Sequence, residues 1–226
     1  MSQDPVANPE ATSPERTTQE ALSADVPRSS SWAFLGRFLR HPRTVGAVAP
    51  SSRYLARKIV HAVDWRPGVR VVEFGPGTGP FTAEILRQMP TDGRYLGIER
   101  DRVFADMLRQ RFPKADVAAD SVDRLVHLLE ERNLLPIDHV VSGLPFASLP
   151  EDLIGRILEE TVAALRPGGT FSTFQYLHAV GLPSARYFRG EMRQRFGAMD
   201  GRRCELRNLP PAFVFTWRKP MDDNAP

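Results

Sequence analysis

Cysteine is almost absent from this chain of 226 residues, which has one, Cys204. A single cysteine excludes an intramolecular disulfide framework and is typical of proteins that work in a reducing cytoplasm. Five histidines are scattered along the chain, and with one cysteine they show no spacing typical of metal ligands. The sequence therefore predicts no disulfide and no metal site.

Long apolar runs are missing as well. No uncharged apolar segment approaches the roughly 18–20 residues that a bilayer-spanning helix requires. The N-terminus carries Asp4, Glu10, Glu15 and Glu20 and has no apolar core of the kind found in secretory signals. The sequence thus predicts a cytoplasmic protein that does not cross the membrane.

Acidic residues are missing from one long basic stretch. From Val26 to Val63 the chain contains no Asp or Glu, although the net charge of the whole protein is only +3. The basic residues of this stretch are Arg28, Arg37, Arg40, Arg43, Arg53, Arg57 and Lys58. A local basic block indicates a polyanionic partner, and charge alone leaves nucleic acid and an anionic membrane surface both open.

Four segments differ in composition. Residues 1–30 are rich in Ser, Thr, Pro and acids, which predicts a disordered leader. Residues 31–64 are predicted to form basic amphipathic helices, one over Trp32–Arg40 and a second capped by Ser51 or Ser52. Residues 65–219 have the ordinary composition of one globular domain, and residues 220–226 are predicted to be a disordered tail.

The main domain alternates short apolar strands with amphipathic helices. Strands are predicted at 69–74, 94–99, 115–119, 137–142 and 170–176, with two more in 204–219 on either side of Pro210 and Pro211. One helix is predicted to turn Val103, Phe104, Met107 and Leu108 inward, and another to run from about Glu151 to Leu165 and end at RPGG. This alternation predicts a doubly wound α/β fold of Rossmann-like form. Its mostly parallel seven-stranded sheet would carry helices on both faces and ligands at the carboxyl ends of its strands.

Glycines crowd the segment EFGPGTG, residues 73–79, between the first predicted strand and the following helix. Gly75, Gly77 and Gly79, with Pro76 among them, permit a tight turn and the close approach of a ligand to the backbone. Such a loop is typical of nucleotide-binding folds.

Two acids accompany the glycine loop. Glu73 stands two positions before its first glycine, and Glu99, followed by Arg100, ends the next predicted strand. An acid about 20 residues past such a loop can accept hydrogen bonds from both hydroxyls of a ribose. The residues therefore predict a site for a nucleoside-containing cofactor.

The segments VVEFGPGTGPFT and GIERD resemble the first two motifs of the class I S-adenosylmethionine-dependent methyltransferases, and AADS, residues 118–121, resembles the third. The resemblance implies S-adenosylmethionine as the cofactor and S-adenosylhomocysteine as the product. It also implies that Asp120 meets the adenine amino group with Ser121 beside it, and that Ser51 and Ser52 close over the methionine end. The alternative is a dinucleotide-binding Rossmann domain, whose usual pattern is G-x-G-x-x-G.

The fourth predicted strand ends at SGLPFASLP, residues 142–150. Methyltransferases that act on adenine N6 carry an Asn or Asp before a Pro here, which accepts from the target amine, and an aromatic residue that stacks on the flipped base. This chain has Ser142, Gly143, Leu144, Pro145 and Phe146 instead. The change weakens a base-methylating function without excluding it, because a backbone carbonyl can also accept from an amine.

Three segments together look like those of the bacterial phospholipid N-methyltransferases: FLRHPRTVGAVAPSS at 38–52, SGLPFASLP, and NLPPAFVF at 208–215. The resemblance implies methylation of phosphatidylethanolamine, through its mono- and dimethyl forms, to phosphatidylcholine. It implies a peripheral enzyme on the inner face of the cell membrane, with residues 31–64 as docking helices and cofactor lid.

Tyr176 follows the fifth predicted strand directly and, with Ser142 to Phe146, is predicted to frame the substrate amine. Aromatic faces such as those of Phe146, Phe174 and Tyr176 suit the quaternary ammonium that successive methylation produces. The proton acceptor stays open among Tyr176, His178 and a water chain. An rRNA or tRNA adenine N6-methyltransferase is the main alternative, and a protein that only binds lipid or RNA is the third.

Overall fold

A single sheet organises residues 52–221, the part of the chain that the computed structural model describes. Its strands are β1 (Arg70–Phe74), β2 (Arg94–Ile98), β3 (Asp116–Ala118), β4 (Ile137–Ser142), β5 (Leu165–Tyr176), β6 (Met199–Glu205) and β7 (Ala212–Arg218). They lie in the order β3-β2-β1-β4-β5-β7-β6; β7 runs antiparallel to both of its neighbours, and the other adjacent pairs are parallel. The doubly wound, mostly parallel seven-stranded sheet is confirmed.

Helices cover both faces of the sheet. They are α1 (Arg53–Ile59), α2 (Pro80–Gln88), α3 (Arg102–Arg111), α4 (Leu125–Glu130), α5 (Glu151–Ala164) and α6 (Pro183–Phe196). Successive strand residues point to opposite faces, so Val71 joins the core under α1 and α2, whereas Val72 joins the core under α4, α5 and α6. Two apolar layers therefore enclose the sheet.

The first described helix begins where the sequence predicts it. Ser52 caps α1, because its hydroxyl accepts a hydrogen bond from the backbone N–H of Leu55 at 3.2 Å. The buried face of α1, which includes Leu55 and Ile59, packs against the sheet. The leader at 1–30, the helix over Trp32–Arg40, Ser51 and the tail beyond 221 lie outside the described residues.

The predicted inward face of α3 is partly wrong. Leu108 is buried together with Ala105, but Val103 is 70% exposed. The helix begins at Asp101, whose side chain caps it by accepting from the backbone N–H groups of Val103 and Phe104. Ala105 and Leu108, three residues apart, share the face that packs on Val117 of β3, and this contact decides which face of the helix is buried.

The predicted helix stop at RPGG is also different. The helix α5 ends at Ala164, and Arg166 to Gly169 already belong to β5. The ammonium group of Lys219 donates to the carbonyl groups of Val162 and Leu165, both at 2.7 Å, and so satisfies the end of the helix in place of a glycine cap. Gly168 instead pairs its backbone N–H with the carbonyl of Lys219 at 3.0 Å.

The aromatic core under α6 dominates packing on its face of the sheet. The Phe171 side chain is fully buried in β5 and contacts the rings of Phe74, Phe146 and Phe196 at centroid distances of 6.0–6.2 Å. Removing a buried aromatic ring leaves a cavity that the surrounding side chains fill only in part.

We expect Phe171→Ala to lower the free energy of unfolding by about 3–5 kcal/mol, as is usual for large buried aromatics. Urea denaturation followed by circular dichroism would measure it. Val103→Ala, at an exposed apolar position on α3, is the control and should change the free energy by less than about 0.5 kcal/mol. Equal effects of the two substitutions would contradict the packing described.

Candidate active site

The carboxyl ends of the parallel strands bring the predicted site residues to one edge of the sheet. Phe74 ends β1 and is paired with Ile98, which ends β2, and with Ser142, which ends β4. The loops that follow these strands therefore leave the sheet side by side. Ligands of doubly wound sheets bind at this edge.

The glycine loop leaves β1 as a left-handed turn. Gly75, Gly77 and Gly79 have φ values of 62°, 57° and 82°, a region that residues with a Cβ rarely adopt. The N–H of Gly79 donates to the carbonyl of Pro76 at 2.9 Å and closes the turn. A Cβ at Gly77 would meet no atom within 4 Å, so the loop has open space there.

Glu99 binds the glycine loop itself. Its carboxylate accepts from the backbone N–H of Gly77 and from that of Asp101, each at 2.9 Å. The side chain is buried, and burial raises the pKa of its carboxyl above the ordinary value. Glu99 thus holds the loop against the end of β2, and Arg100 follows it with an exposed side chain.

Glu73 lies beneath the loop and not at its surface. It is fully buried in β1, and its Oε2 atom accepts from the Tyr95 hydroxyl at 2.7 Å and from the Thr82 hydroxyl at 2.8 Å. Burial raises the pKa of Glu73 to about 7. Within residues 52–221 its Oε1 atom has no hydrogen-bond partner. The arrangement makes Glu73 a support that joins β1, β2 and α2.

Asp120 and Ser121 follow β3 at the same edge. One carboxylate oxygen of Asp120 accepts from the backbone N–H of Ser121 at 2.7 Å, and the other forms an ion pair with Arg124 at 2.8 Å. The carboxylate is partly exposed and is held in place from both sides. Glu99 and Asp120 thus lie at the ends of neighbouring strands, and their contact with a cofactor stays a prediction.

The loop after β4 packs directly against the glycine loop. Gly143 donates its backbone N–H to the carbonyl of Phe74 at 2.8 Å. A Cβ at Gly143 would lie 2.8 Å from the Gly75 carbonyl oxygen, and one at Gly75 would lie 2.7 Å from the Leu144 side chain. Only glycine allows the two loops to approach this closely.

Two side chains of this loop, those of Ser142 and Phe146, are turned into the protein. The Ser142 hydroxyl is buried and accepts from the backbone N–H of Leu144 at 3.2 Å. Phe146 is buried too and stacks on Phe188 of α6 at a centroid distance of 4.1 Å. Gly143 and Pro145 are the partly exposed members of the motif from Ser142 to Phe146.

Tyr176 ends β5 within a small aromatic cluster. Its ring stacks on that of His178 at 5.7 Å and meets Phe174 edge to face at 5.3 Å. Burial raises the pKa of Tyr176 to about 12, so its hydroxyl stays protonated at neutral pH. Phe174 and Tyr176 pack on the α1 face, whereas Phe146 packs on the α6 face. The predicted aromatic set is therefore divided between the two faces.

A partly buried polar pair at the end of β5 is not apparent from the sequence. Gln175 accepts at its Oε1 atom from the guanidinium of Arg189 in α6, while its Nε2 atom has no partner within the described part of the chain. Arg189 also donates to the Val180 carbonyl at 2.9 Å. No group of three or more His, Cys, Asp or Glu side chains in residues 52–221 could hold a metal ion.

A relative of nearly full length determines the family. The chain is 36% identical over 188 residues to the ornithine lipid N-methyltransferase of Singulisphaera acidiphila, which covers 82% of this chain and 94% of the relative. Residues 71–169 match the methyltransferase domain family. The chain belongs to the class I S-adenosylmethionine-dependent methyltransferases.

Other relatives of this methyltransferase are similar over shorter stretches. The ribosomal RNA small subunit methyltransferase A of Prosthecochloris aestuarii is 35% identical over 111 residues, 48% of this chain and 40% of that protein. TrmN from Thermus thermophilus has a TM-score of 0.59 at 17% identity, over 82% of this chain and 53% of that chain. An O-methyltransferase from Bacillus cereus in complex with S-adenosylhomocysteine has a TM-score of 0.58 at 14% identity, over 86% of this chain and 93% of that chain. The solved structures share the fold.

S-adenosylmethionine is the cofactor of this methyltransferase. The glycine loop fits such a ligand, because the Cβ-free turn at Gly77 faces open space. Of the residues predicted to hold the cofactor, Glu99, Asp120 and Ser121 follow β2 and β3 at this edge. Their individual roles remain predictions.

We expect Gly143→Ala to weaken S-adenosylmethionine binding about tenfold or more, because the added Cβ displaces the glycine loop. Isothermal titration calorimetry would measure the affinity of each variant for S-adenosylmethionine. Gly155→Ala is the matched control, since a Cβ there meets no atom within 4 Å and Ala favours the helix. Unchanged affinity in Gly143→Ala would show that the contact between the loops does not position the cofactor.

We expect stability to fall as the pH rises through the folded-state pKa of Glu73. Below pH 4.5 this residue is protonated in both states, and above about pH 7 the folded state must bury its charge. The cost is on the order of 3 kcal/mol, at about 1.4 kcal/mol for each pKa unit. Glu73→Gln should therefore gain stability relative to the native chain between pH 5 and pH 8, as measured by urea denaturation.

The control for this measurement is Glu130→Gln, a substitution at an exposed carboxylate in the last turn of α4. This substitution should change the free energy of unfolding by the same amount at pH 5 and at pH 8. A Glu73→Gln variant that showed the same pH dependence as the native chain would mean that Glu73 remains charged in the folded protein throughout.

Proposed function

We propose that this methyltransferase transfers methyl groups from S-adenosylmethionine to the amine of a membrane lipid headgroup. The headgroup implied by the sequence motifs is phosphatidylethanolamine, methylated through its mono- and dimethyl forms towards phosphatidylcholine. The similarity to an ornithine lipid N-methyltransferase favours ornithine lipid as a second candidate. Both headgroups present a primary amine on a short chain near an anionic group.

The observation that carries this proposal is the direction of the side chains after β4. An adenine N6-methyltransferase needs an acceptor side chain and an aromatic ring that face the target base. Here the Ser142 hydroxyl is used within its own turn, and Phe146 stacks on Phe188 inside the core. This geometry supports a small aliphatic amine as the substrate and disfavours a flipped base.

The residues at the edge can also hold the amine in a reactive state. When bound, S-adenosylmethionine supplies an electrophilic methyl group, which the amine must approach in line with its neutral lone pair. Tyr176 stays protonated at neutral pH, so it offers a hydroxyl and an aromatic face and does not act as the base. The proton of the product ammonium would then leave to His178 or to water. The faces of Phe174, Tyr176 and His178 favour a methylated ammonium.

We propose a peripheral location on the inner face of the cell membrane for this enzyme. No helix within residues 52–221 has the length and apolar character to cross a bilayer. A lipid substrate nevertheless requires the edge with the glycine loop to approach the headgroups. The predicted docking helix over Trp32–Arg40 remains a prediction, because it lies outside the described residues.

The experiment supplies labelled S-adenosylmethionine to the full-length protein with one acceptor at a time. The acceptors are vesicles that contain phosphatidylethanolamine, vesicles that contain ornithine lipid, vesicles of phosphatidylcholine alone, and unmodified rRNA. We expect label in phosphatidylethanolamine, with mono-, di- and trimethyl products resolved by mass spectrometry. Label only in ornithine lipid would keep lipid N-methylation and replace the headgroup.

Label that appeared only in rRNA would reject the lipid assignment and establish the adenine alternative. That outcome would be accompanied by RNA binding that weakens steeply with salt, because phosphate contacts release counterions. The phosphatidylcholine vesicles control for label that associates with membranes without reaction, since this headgroup has no free amine to methylate.

A further inference from the structure

Four leucines stand unusually exposed on two loops. Leu206 and Leu209, between β6 and β7, are 71% and 75% exposed, and Leu177 and Leu182, between β5 and α6, are 46% and 47% exposed. They make up four of the seven large apolar side chains that are exposed in residues 52–221. Single exposed leucines are ordinary, but a group of them on neighbouring loops marks an interaction surface.

The two loops lie side by side at the cofactor edge of the sheet. Tyr176, at the end of β5, pairs with Ala212, which also pairs with Glu205 at the end of β6. Leu177 then donates its backbone N–H to the Pro211 carbonyl at 2.8 Å. Because β5 is parallel to β4, this is the same edge at which the SGLPF motif and the glycine loop emerge.

The loop at 206–211 is held by buried polar contacts. Asn208 is buried, and its Oδ1 atom accepts from the backbone N–H of Ser52 at 2.9 Å, while its Nδ2 atom donates to the Pro210 carbonyl at 2.7 Å. The Glu205 carboxylate accepts from the backbone N–H of Arg207 at 2.9 Å. With Asn208 anchored inward, Leu206 and Leu209 are turned outward by a defined backbone.

Positive charge surrounds the leucines. The exposed arginines of these elements near that edge are Arg53, Arg57, Arg186, Arg202, Arg203 and Arg207. Residues 52–63, 172–190 and 201–218 contain a single acid, Glu205, which is buried and paired with Lys58 at 3.0 Å. The guanidinium groups of Arg53 and Arg207 lie 5.0 and 4.8 Å from the Tyr54 ring, which places both beside the loop. The surface is therefore apolar at its tips and cationic around them.

We propose that the loops at 177–182 and 206–211 form a leucine–arginine surface that docks on an anionic lipid bilayer. The leucines would enter the region of the acyl chains and the arginines would contact anionic headgroups. The inference rests on the proposed lipid substrate and adds the orientation, with the glycine-loop edge turned towards the membrane. A single-stranded RNA partner is held by aromatic rings that stack on its bases, whereas the most exposed apolar side chains of these two loops are leucines, which have no ring for stacking.

The first experiment compares the full-length protein with its Leu206→Ser/Leu209→Ser variant. Sedimentation with vesicles of mixed phosphatidylglycerol and phosphatidylcholine would measure partitioning. We expect the variant to partition at least tenfold more weakly, while its S-adenosylmethionine affinity and melting temperature stay those of the native chain. The matched control is Val103→Ser/Met221→Ser, which changes two equally exposed apolar residues, at 70% and 67%, and should partition normally.

A second experiment measures a gain of signal, so that the test does not depend only on the loss of vesicle partitioning in the serine variant. Leu209→Cys in a Cys204→Ser background can be labelled with a polarity-sensitive fluorophore, because Cys204 is the single cysteine of the chain. We expect its emission to shift to the blue when phosphatidylglycerol vesicles are added, and no shift for the same label in Met221→Cys. An unshifted emission at position 209 on vesicles that bind the protein would overturn the proposal.

The outcomes separate this proposal from the lipid N-methyltransferase assignment. Normal vesicle partitioning of Leu206→Ser/Leu209→Ser, with lipid methylation intact, would overturn the docking surface and leave the assignment standing. Weak partitioning of the variant, with a native chain that methylates only rRNA, would support the surface and reject the lipid substrate. Loss of rRNA binding or of a dimer in the variant, with vesicle partitioning unchanged, would assign the surface to those partners and overturn the proposal.

Activity on a dispersed substrate adds a further readout. With short-chain phosphatidylethanolamine below its micelle concentration, the variant should turn over at the native rate. With vesicle-bound phosphatidylethanolamine its rate should fall with its partitioning. An equal loss on both substrates would place the leucines in the catalytic site and overturn their role in docking.

Discussion

The glycine loop after β1 has no room for a side chain where it meets the loop after β4. The rest of the site is arranged around that constraint. Glu99 holds the backbone of Gly77 from the end of β2, and Gly143 meets the Gly75 carbonyl from the end of β4. Glu73 joins β1, β2 and α2 beneath the loop. Neighbouring strands thus fix one turn, whose open side at Gly77 faces the cofactor edge. A preorganised turn of this kind positions a ligand without further rearrangement on binding.

The same contact accounts for the form of the SGLPF motif. Since Gly143 must approach the glycine loop closely, the chain turns after it, and Phe146 reaches the core under α6. The edge therefore loses the aromatic platform of an adenine methyltransferase. It keeps the Tyr176 cluster on the other face of the sheet, whose aromatic rings would face the methylated amine under our proposal.

The sheet topology places the leucine–arginine surface at the cofactor edge of the sheet. The strand β7 runs antiparallel between β5 and β6, so the loop at 206–211 returns to the edge at which the parallel strands end. Asn208 then ties this loop to Ser52 at the start of α1. A lipid amine could in this way reach the glycine-loop edge while the rest of the lipid remains in the bilayer, which is why we connect the two proposals.

The α/β alternation, the seven predicted strands, the glycine turn and the cap at Ser52 follow from local sequence patterns, because periodicity, positive φ and capping act within a few residues. Which face of α3 is buried, and how α5 ends, were decided by tertiary contacts. Ala105 and Leu108 of α3 pack on Val117 of β3, and Lys219, more than fifty residues away, satisfies the end of α5. The direction of Phe146, the exposure of Leu206 and Leu209, and the inward anchor at Asn208 likewise depend on partners distant in sequence. Local patterns specify elements and short turns, whereas the direction in which a loop presents its side chains is set by contacts that exist only in the folded chain.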